Sequence, residues 1–319
     1  MAAVTAAVVV AGCSGGGDDE ANTAQNFYLS LGDSLTVGVQ PDEEGQAEET
    51  SEGYTDVLYR SLKDEDSTLQ HERMGCGGED TTTFIGGGLP HCDTLYEEGS
   101  QLDQAEEFLN EHGDQVGLVT VTIGGNNFTN CVEGIDEDRD PDIELDIEDV
   151  GVDEDCVADG QERLETEVPE IADRLTEAAG SDTQVVAMTY YNPFLALALL
   201  DEEEAEGDED AEGTEEDDGA VSTEDGDEEL ADRTVEILGE VNDSLTDSYE
   251  AAGIDVADVD TVFEGANTDV PENSDTDMPV NLQRICDLTW MCNVAQGPDI
   301  HTNLAGAQEI AEVFESQVR

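Results

Sequence analysis

Apolar positions fall into two rhythms along this chain. Runs of consecutive apolar or small residues predict strands covered on both faces at Phe27 to Leu31, Val116 to Ile123 (VGLVTVTI) and Gln184 to Tyr190 (QVVAMTY). Leu69 to Met74 and Val256 to Phe263 are further candidate strands. Between them apolar residues recur every three or four positions, which predicts helices over Tyr54 to Leu62, Leu102 to Leu109, Arg163 to Ala179, Thr234 to Tyr249 and Asn303 to Val318. Pro169 interrupts the third of these, and the Gly/Thr-rich GCGGEDTTTFIGGG after Met74 reads as a loop. Strands alternating with helices predict a layered α/β fold with a mostly parallel sheet. There is no internal repeat, and a single domain is expected over 26–319.

Two acidic stretches break the rhythm, residues 133–155 between two cysteines and residues 201–229. The second has no base and almost no apolar side chain, so burial cannot offset its ordering entropy and a disordered insertion is expected. It lacks EF-hand spacing, which weighs against a calcium site. Acids are not confined to these stretches. The chain of 319 residues carries 83 Asp+Glu against 9 Lys+Arg, a formal net charge of −74 at pH 7. Such a field repels nucleic acid and anionic membrane faces, so neither is expected as a partner. Apolar periodicity persists beneath the acids, unlike in a disordered acidic chain. The picture is a folded protein whose surface suits molar salt, resembling the proteins of halophilic archaea.

Residues 1–12 form an apolar run shorter than the roughly 20 residues of a spanning helix, and it ends at Cys13 before a Gly/Asp-rich stretch. Val10-Ala11-Gly12-Cys13 resembles a lipobox, so residues 1–25 are expected to be signal and tether, with Cys13 lipidated and the protein held at the outer cell surface. The plainer alternative is a signal segment with an incidental cysteine. No Lys or Arg precedes the run. Cys76, Cys92, Cys131, Cys156, Cys286 and Cys292 remain, an even number that predicts disulfides in an exported chain. Each consecutive pair brackets a loop-like stretch, which predicts Cys76–Cys92, Cys131–Cys156 and Cys286–Cys292. No spacing matches a zinc site, and no metal is expected.

The candidate chemistry lies where predicted strands end. Gly32-Asp33-Ser34-Leu35 presents a serine at a strand-to-helix turn, where backbone N–H groups face any oxyanion beside it. A turn with an N-cap serine is the plainer reading of those four residues. Gly78 lies in the loop after the second strand, with Gly77 as the alternative register, and Asn126 closes the third in Gly124-Gly125-Asn126-Asn127. Asp299-Ile300-His301 stands just before the last helix; His71, His91 and His112 lack that setting.

These four blocks, in this order, resemble the GDSL or SGNH hydrolase family. The resemblance covers Phe27 to the end and departs from the family pattern at Asn127, where the family usually has Asp, and at Asp299, where the family has DxxH. It implies a three-layer α/β/α, flavodoxin-like sandwich and ester hydrolysis through an acyl-enzyme. Ser34 would be the nucleophile, His301 the general base, and Ser34 N–H, Gly78 N–H and the Asn126 amide the oxyanion hole. Asp299, or else a main-chain carbonyl, would orient His301. No cofactor is implied. An esterase or lipase acting on small-molecule, lipid or glycan esters is expected, as a monomer. The rival readings are a carbohydrate acetyl esterase and a non-catalytic binding module of the same fold.

The charge load carries a prediction of its own. The melting temperature followed by circular dichroism should rise by about 10 °C or more as KCl goes from about 0.1 M to molar, because added ions screen the self-repulsion. A flat or falling curve would show that the acids are not a salt adaptation.

Overall fold

The computed structural model describes residues 26–133, 151–199, 224–271, 278–293, 295 and 298–319. Cys13, the expected tether and most of both acidic stretches lie outside the described residues.

Five strands form one parallel sheet: β1 (Phe27–Gly32), β4 (Gln70–Arg73), β5 (Val116–Thr122), β8 (Gln184–Met188) and β9 (Asp255–Ala257), in the spatial order β4-β1-β5-β8-β9. Counted among sheet strands alone this is order 2-1-3-4-5, the flavodoxin-like winding whose direction reverses between β1 and β5. Tyr28, Leu29, Ser30 and Leu31 are all fully buried, as a strand covered on both faces requires. The buried threonines of β5 are satisfied across the sheet and from the layer beside it: Thr120 Oγ1 meets Tyr28 Oη at 2.9 Å and Thr122 Oγ1 meets Tyr54 Oη.

The helices form the outer layers. On one side α1 (Tyr54–Glu65) packs on the closing helix α8 (Leu304–Gln317), with Tyr54 stacked on Phe314 at 4.8 Å between centroids. On the other, α3 (Gln101–His112), α4 (Glu154–Ala178) and α5 (Glu224–Ala251) lie side by side. The expected three-layer α/β/α sandwich is what the chain forms. Two small antiparallel pairs, β2 (Val39–Pro41) with β3 (Ala47–Glu49) and β6 (Val132–Glu133) with β7 (Gly151–Val152), stand outside the sheet. Cys76–Cys92, Cys131–Cys156 and Cys286–Cys292 are joined, sequence neighbours in each case.

Several expectations need correcting. Val256 to Phe263 is not one strand: β9 ends at Ala257, and Asp258 caps a helix, α6 (Val259–Phe263), by accepting the Thr261 N–H at 3.0 Å. The Gly/Thr-rich loop contains a helix, α2 (Thr81–Gly86), started by a reciprocal capping box between Asp80 and Thr83. A further helix, α7 (Val280–Leu288), carried no expectation. Helix α4 begins at Glu154, behind an Asp153 cap that accepts two N–H groups, and runs unbroken through Pro169. The donor missing at Pro169 would have served Glu165, which lies on the exposed face where water can replace it. Residues 151–155 and 224–229, read as parts of acidic excursions, belong to β7, to α4 with its cap, and to α5. Acids at helix starts are favoured by the helix dipole, a local preference that low hydrophobicity hides.

His71 on β4 yields a prediction for pH. Its ring stacks on Tyr28 at 4.5 Å, its Nε2 bonds Ser30 Oγ at 2.9 Å, and burial together with Arg73 drives its pKa down to about 3. The folded state thus resists a proton that the unfolded chain accepts from about pH 6.5 downward. Relative to a His71→Phe variant, wild type should lose up to about 1.4 kcal/mol of unfolding free energy per pH unit on acidification below that point. Parallel urea titrations of the two proteins test this; a difference independent of pH would mean that His71 is charged when folded.

Candidate active site

Because all five strands run parallel, the loops after β1, β4 and β5 emerge at one edge of the sheet. The first carries Ser34. Asp33 N–H donates to Thr122 O at 3.0 Å, Asp33 Oδ1 accepts the Leu35 N–H at 3.0 Å, and Val39 N–H donates to Ser34 O at 3.0 Å. The backbone is therefore held on both sides of Ser34 while its side chain stays partly exposed. Among the described residues neither the Ser34 hydroxyl nor its backbone N–H has a hydrogen-bond partner in the chain.

The second loop brings Gly77 and Gly78. A Cβ on Gly77 would lie 3.8 Å from Ser34 Cβ, so this stretch passes directly beside the serine. Gly78 follows with φ +86° and is exposed, and no carbonyl among the described residues takes its N–H. The third loop brings Asn126, whose Nδ2 donates to Glu79 O at 2.8 Å and whose Oδ1 accepts the Thr129 hydroxyl at 3.0 Å. Buried Asn127 ties the same two loops: its Oδ1 accepts the Thr81 N–H at 3.1 Å and its Nδ2 donates to Thr81 Oγ1 at 2.8 Å. Arg163 reaches in from α4, donating to Asp80 Oδ2 at 2.6 Å and to Asn127 O at 3.0 Å. Between them Glu79 is buried, its carboxyl accepting the Thr83 hydroxyl at 2.8 Å; burial raises its pKa to about 7.

His301 is fixed from the far end of the chain. Its Nδ1 lies 2.7 Å from Asp299 Oδ1, and the same oxygen accepts its backbone N–H at 2.8 Å. The carboxylate thus orients the imidazole from two residues upstream, and among the described residues no main-chain carbonyl takes that place. Burial alone would raise the Asp299 pKa, but the bonds from His301 hold it below the ordinary carboxylate value. The loop is braced by Tyr191, whose hydroxyl donates to Ile300 O at 2.8 Å, by Trp290 N–H on His301 O at 3.0 Å, and by a bridge between Thr289 and Thr302. Cys286–Cys292 closes the turn from which that bracing starts.

Ser34, Asn126 and His301 line one cavity. Its walls are largely apolar and include Phe128, Val132, Val157, Phe194, Ile237 and Leu238. Gly78 is not among the lining residues, though its loop borders Ser34. Cys76, Cys92 and His91 lie close enough together to suggest a metal cluster, but the two sulfurs are bonded to each other. A hydroxyl, an imidazole paired with a carboxylate, an amide donor and an apolar cleft together can perform acyl transfer. Arg163 and Gln101, whose amide brackets Gly32, belong to no motif and went unread in the sequence. Their partners lie far away along the chain.

The sequence model of the GDSL-like Lipase/Acylhydrolase family matches residues 30–309. No curated protein sequence matches the chain. Similar solved structures include an extracellular lipase from Streptomyces rimosus (15% identity, TM-score 0.46, covering 91% of this chain and 99% of that one). Others are phospholipase A1 from Streptomyces albidoflavus NA297 (15%, TM-score 0.44, 92% and 99%) and the M. smegmatis aryl esterase (16%, TM-score 0.41, 92% and 98%).

The loop ties can be weighed by removing one. Arg163→Met keeps the stem and deletes the guanidinium, so about 1–2 kcal/mol of unfolding free energy should be lost, a charged hydrogen bond discounted for its partial exposure. Urea denaturation at fixed salt measures it. A loss under about 0.3 kcal/mol would mean that Arg163 does not hold the two loops together.

Proposed function

This chain belongs to the GDSL-like lipase/acylhydrolase family, a family of ester hydrolases, and from that premise we propose that it cleaves carboxylic esters of apolar acyl chains through an acyl-enzyme on Ser34. Ser34 Oγ attacks the ester carbonyl while His301 takes its proton, so the Oγ–C bond forms as charge moves to the carbonyl oxygen. The Ser34 and Gly78 N–H groups and the Asn126 amide receive that oxyanion, each donor being worth roughly 10²–10³ in rate. His301 then gives the proton to the departing alcohol. Water attacks the acyl-enzyme by the same route, its proton passing through His301 back to Ser34 Oγ. Asp299 keeps Nδ1–H aimed and stabilises the imidazolium that forms in both steps.

The observation that carries this reading is the meeting of Ser34, Asn126 and the Asp299–His301 pair at one apolar cavity. Its apolar walls favour an acyl chain over an acetylated sugar, which would leave them uncovered. The single-residue experiment is Ser34→Ala, which should drop ester turnover to background with the fold intact by circular dichroism. On wild type in molar KCl, a p-nitrophenyl ester series should show kcat/KM rising from acetyl upward by up to about fourfold per methylene that enters the cavity. Faster cleavage of acetylated sugars than of any longer acyl ester would favour the carbohydrate esterase. Wild-type turnover in Ser34→Ala would remove the serine from the mechanism.

A further inference from the structure

A buried carboxylate stands immediately before Ser34, and the hydrolytic scheme gives it no task. Asp33 is 2% exposed, and both of its oxygens are engaged: Oδ1 accepts the Leu35 N–H at 3.0 Å and Oδ2 accepts the Tyr190 hydroxyl at 2.6 Å. It lines the same cavity as His301, which lies close enough to act on its charge. The other ionisable groups facing it are Tyr54 from α1, Tyr190 and Tyr191 from the end of β8, and Tyr249 from α5. All four are buried phenols whose pKa is raised by burial, so they remain neutral while Asp33 titrates. Capping the serine turn needs only Oδ1 and a neutral acceptor; it does not call for a buried charge held by a phenol.

Tyr190 is held both at its backbone and at its ring. Its N–H donates to Asn242 Oδ1 and its carbonyl accepts from Asn242 Nδ2, both at 2.8 Å, so α5 grips its backbone from both sides. Its ring passes so close to Gly125 that a Cβ there would lie 2.7 Å from a ring carbon. One side chain therefore touches the turn of the nucleophile and the turn that carries Asn126.

Resting on the reading of Ser34 and His301 as the hydrolytic pair, we propose that Tyr190 and Asp33 are positioning residues for that reaction. Tyr190 fixes Asp33 beneath the nucleophile turn, and ionised Asp33 sets a second buried negative charge, besides Asp299, toward the imidazolium formed at His301. Neither group touches the substrate. In a site shielded from water such a charge acts more strongly than at the surface, and its geometry is already set when the imidazolium forms. Burial raises the Asp33 pKa to about 6, with the Tyr190 hydroxyl pulling in the opposite direction. Deleting that donor therefore raises it further, and a larger fraction of Asp33 is protonated at neutral pH.

The test compares wild type, Tyr190→Phe and Asp33→Asn as full chains in molar KCl, with kcat and KM for a p-nitrophenyl ester measured from about pH 5 to 9 and competent sites counted by fluorophosphonate labelling. In Tyr190→Phe the acid limb of kcat should move to higher pH, with kcat near pH 6 falling about tenfold, recovery on the alkaline side, and KM changed by less than about twofold. Asp33→Asn keeps Oδ1 on the Leu35 N–H, turns an NH2 donor toward the Tyr190 oxygen and removes the charge, so kcat should fall about tenfold or more at every pH and the share of the acid limb due to Asp33 should vanish. Profiles of wild-type shape in both variants, or losses carried by KM, would overturn the proposal. If Tyr190→Phe fails to fold, Asp33→Asn decides by the same criterion. A wild type that neither labels nor turns over would sink the hydrolase reading, whereas an active wild type with unchanged variant profiles sinks this inference alone.

Discussion

The end of β1 is the constraint on which the rest of the structure hangs. Gly32 adopts φ +132°, and a Cβ there would lie 1.9 Å from Thr122 O, so no other residue lets β1 lie this close to β5 at that point. Its N–H and carbonyl are both taken by the Gln101 amide from α3, the carbonyl also by Cys76 N–H. The chain then turns sharply enough for Asp33 N–H to reach Thr122 O, which brings Ser34 out at the sheet edge. Any side chain at this position would wedge β1 from β5. Because Asn126 follows β5, Ser34 and Asn126 would separate together with the strands.

The same edge shows how a chain with 83 acids and 9 bases builds a precise interior. Neutral amides do most of the holding: Gln101 at Gly32, Asn242 at Tyr190, Asn127 at Thr81, and Asn303 at the start of α8, where it caps two N–H groups and also reaches Thr289 O. Each satisfies backbone or hydroxyl partners without adding another negative charge. At Asn127 this matters locally, since Glu79, Asp80 and Glu167 already crowd Thr81 and its neighbours. A carboxylate in place of that amide would raise the repulsion there. Two arginines tie neighbouring elements together, Arg163 between α4 and the loops that carry Asp80 and Asn127, and Arg174 between α4 and α3.

The histidine end is built on a different logic. Asp299 reaches Nδ1 although it stands only two residues before His301, because the carboxylate folds back in a turn closed by the His301 N–H. That compact turn needs outside support. Tyr191, Trp290 and the Thr289–Thr302 bridge supply it, with Cys286–Cys292 behind them.

Much of this was legible in the linear chain because the signals are local. Consecutive apolar residues marked β1, β5 and β8, glycines marked the ends of the first and second of these strands, and the four blocks stood in order at the turns that follow. The cysteines pair with neighbours for the same reason, each bridge closing a nearby loop. Where a local cap outweighed hydrophobic rhythm, the reading failed: Asp258 turned a presumed strand into a helix, and Asp80 with Thr83 started a helix inside a glycine-rich loop. The partners of Gln101, Asn242, Arg163 and Tyr190 could not be read at all. Tyr190 and Asp33 are 157 positions apart, and they meet because the winding order puts β1 and β8 on either side of β5 with their carboxyl ends on one edge. Periodicity specifies which face of an element is buried; only the packed sheet decides which distant side chain stands opposite.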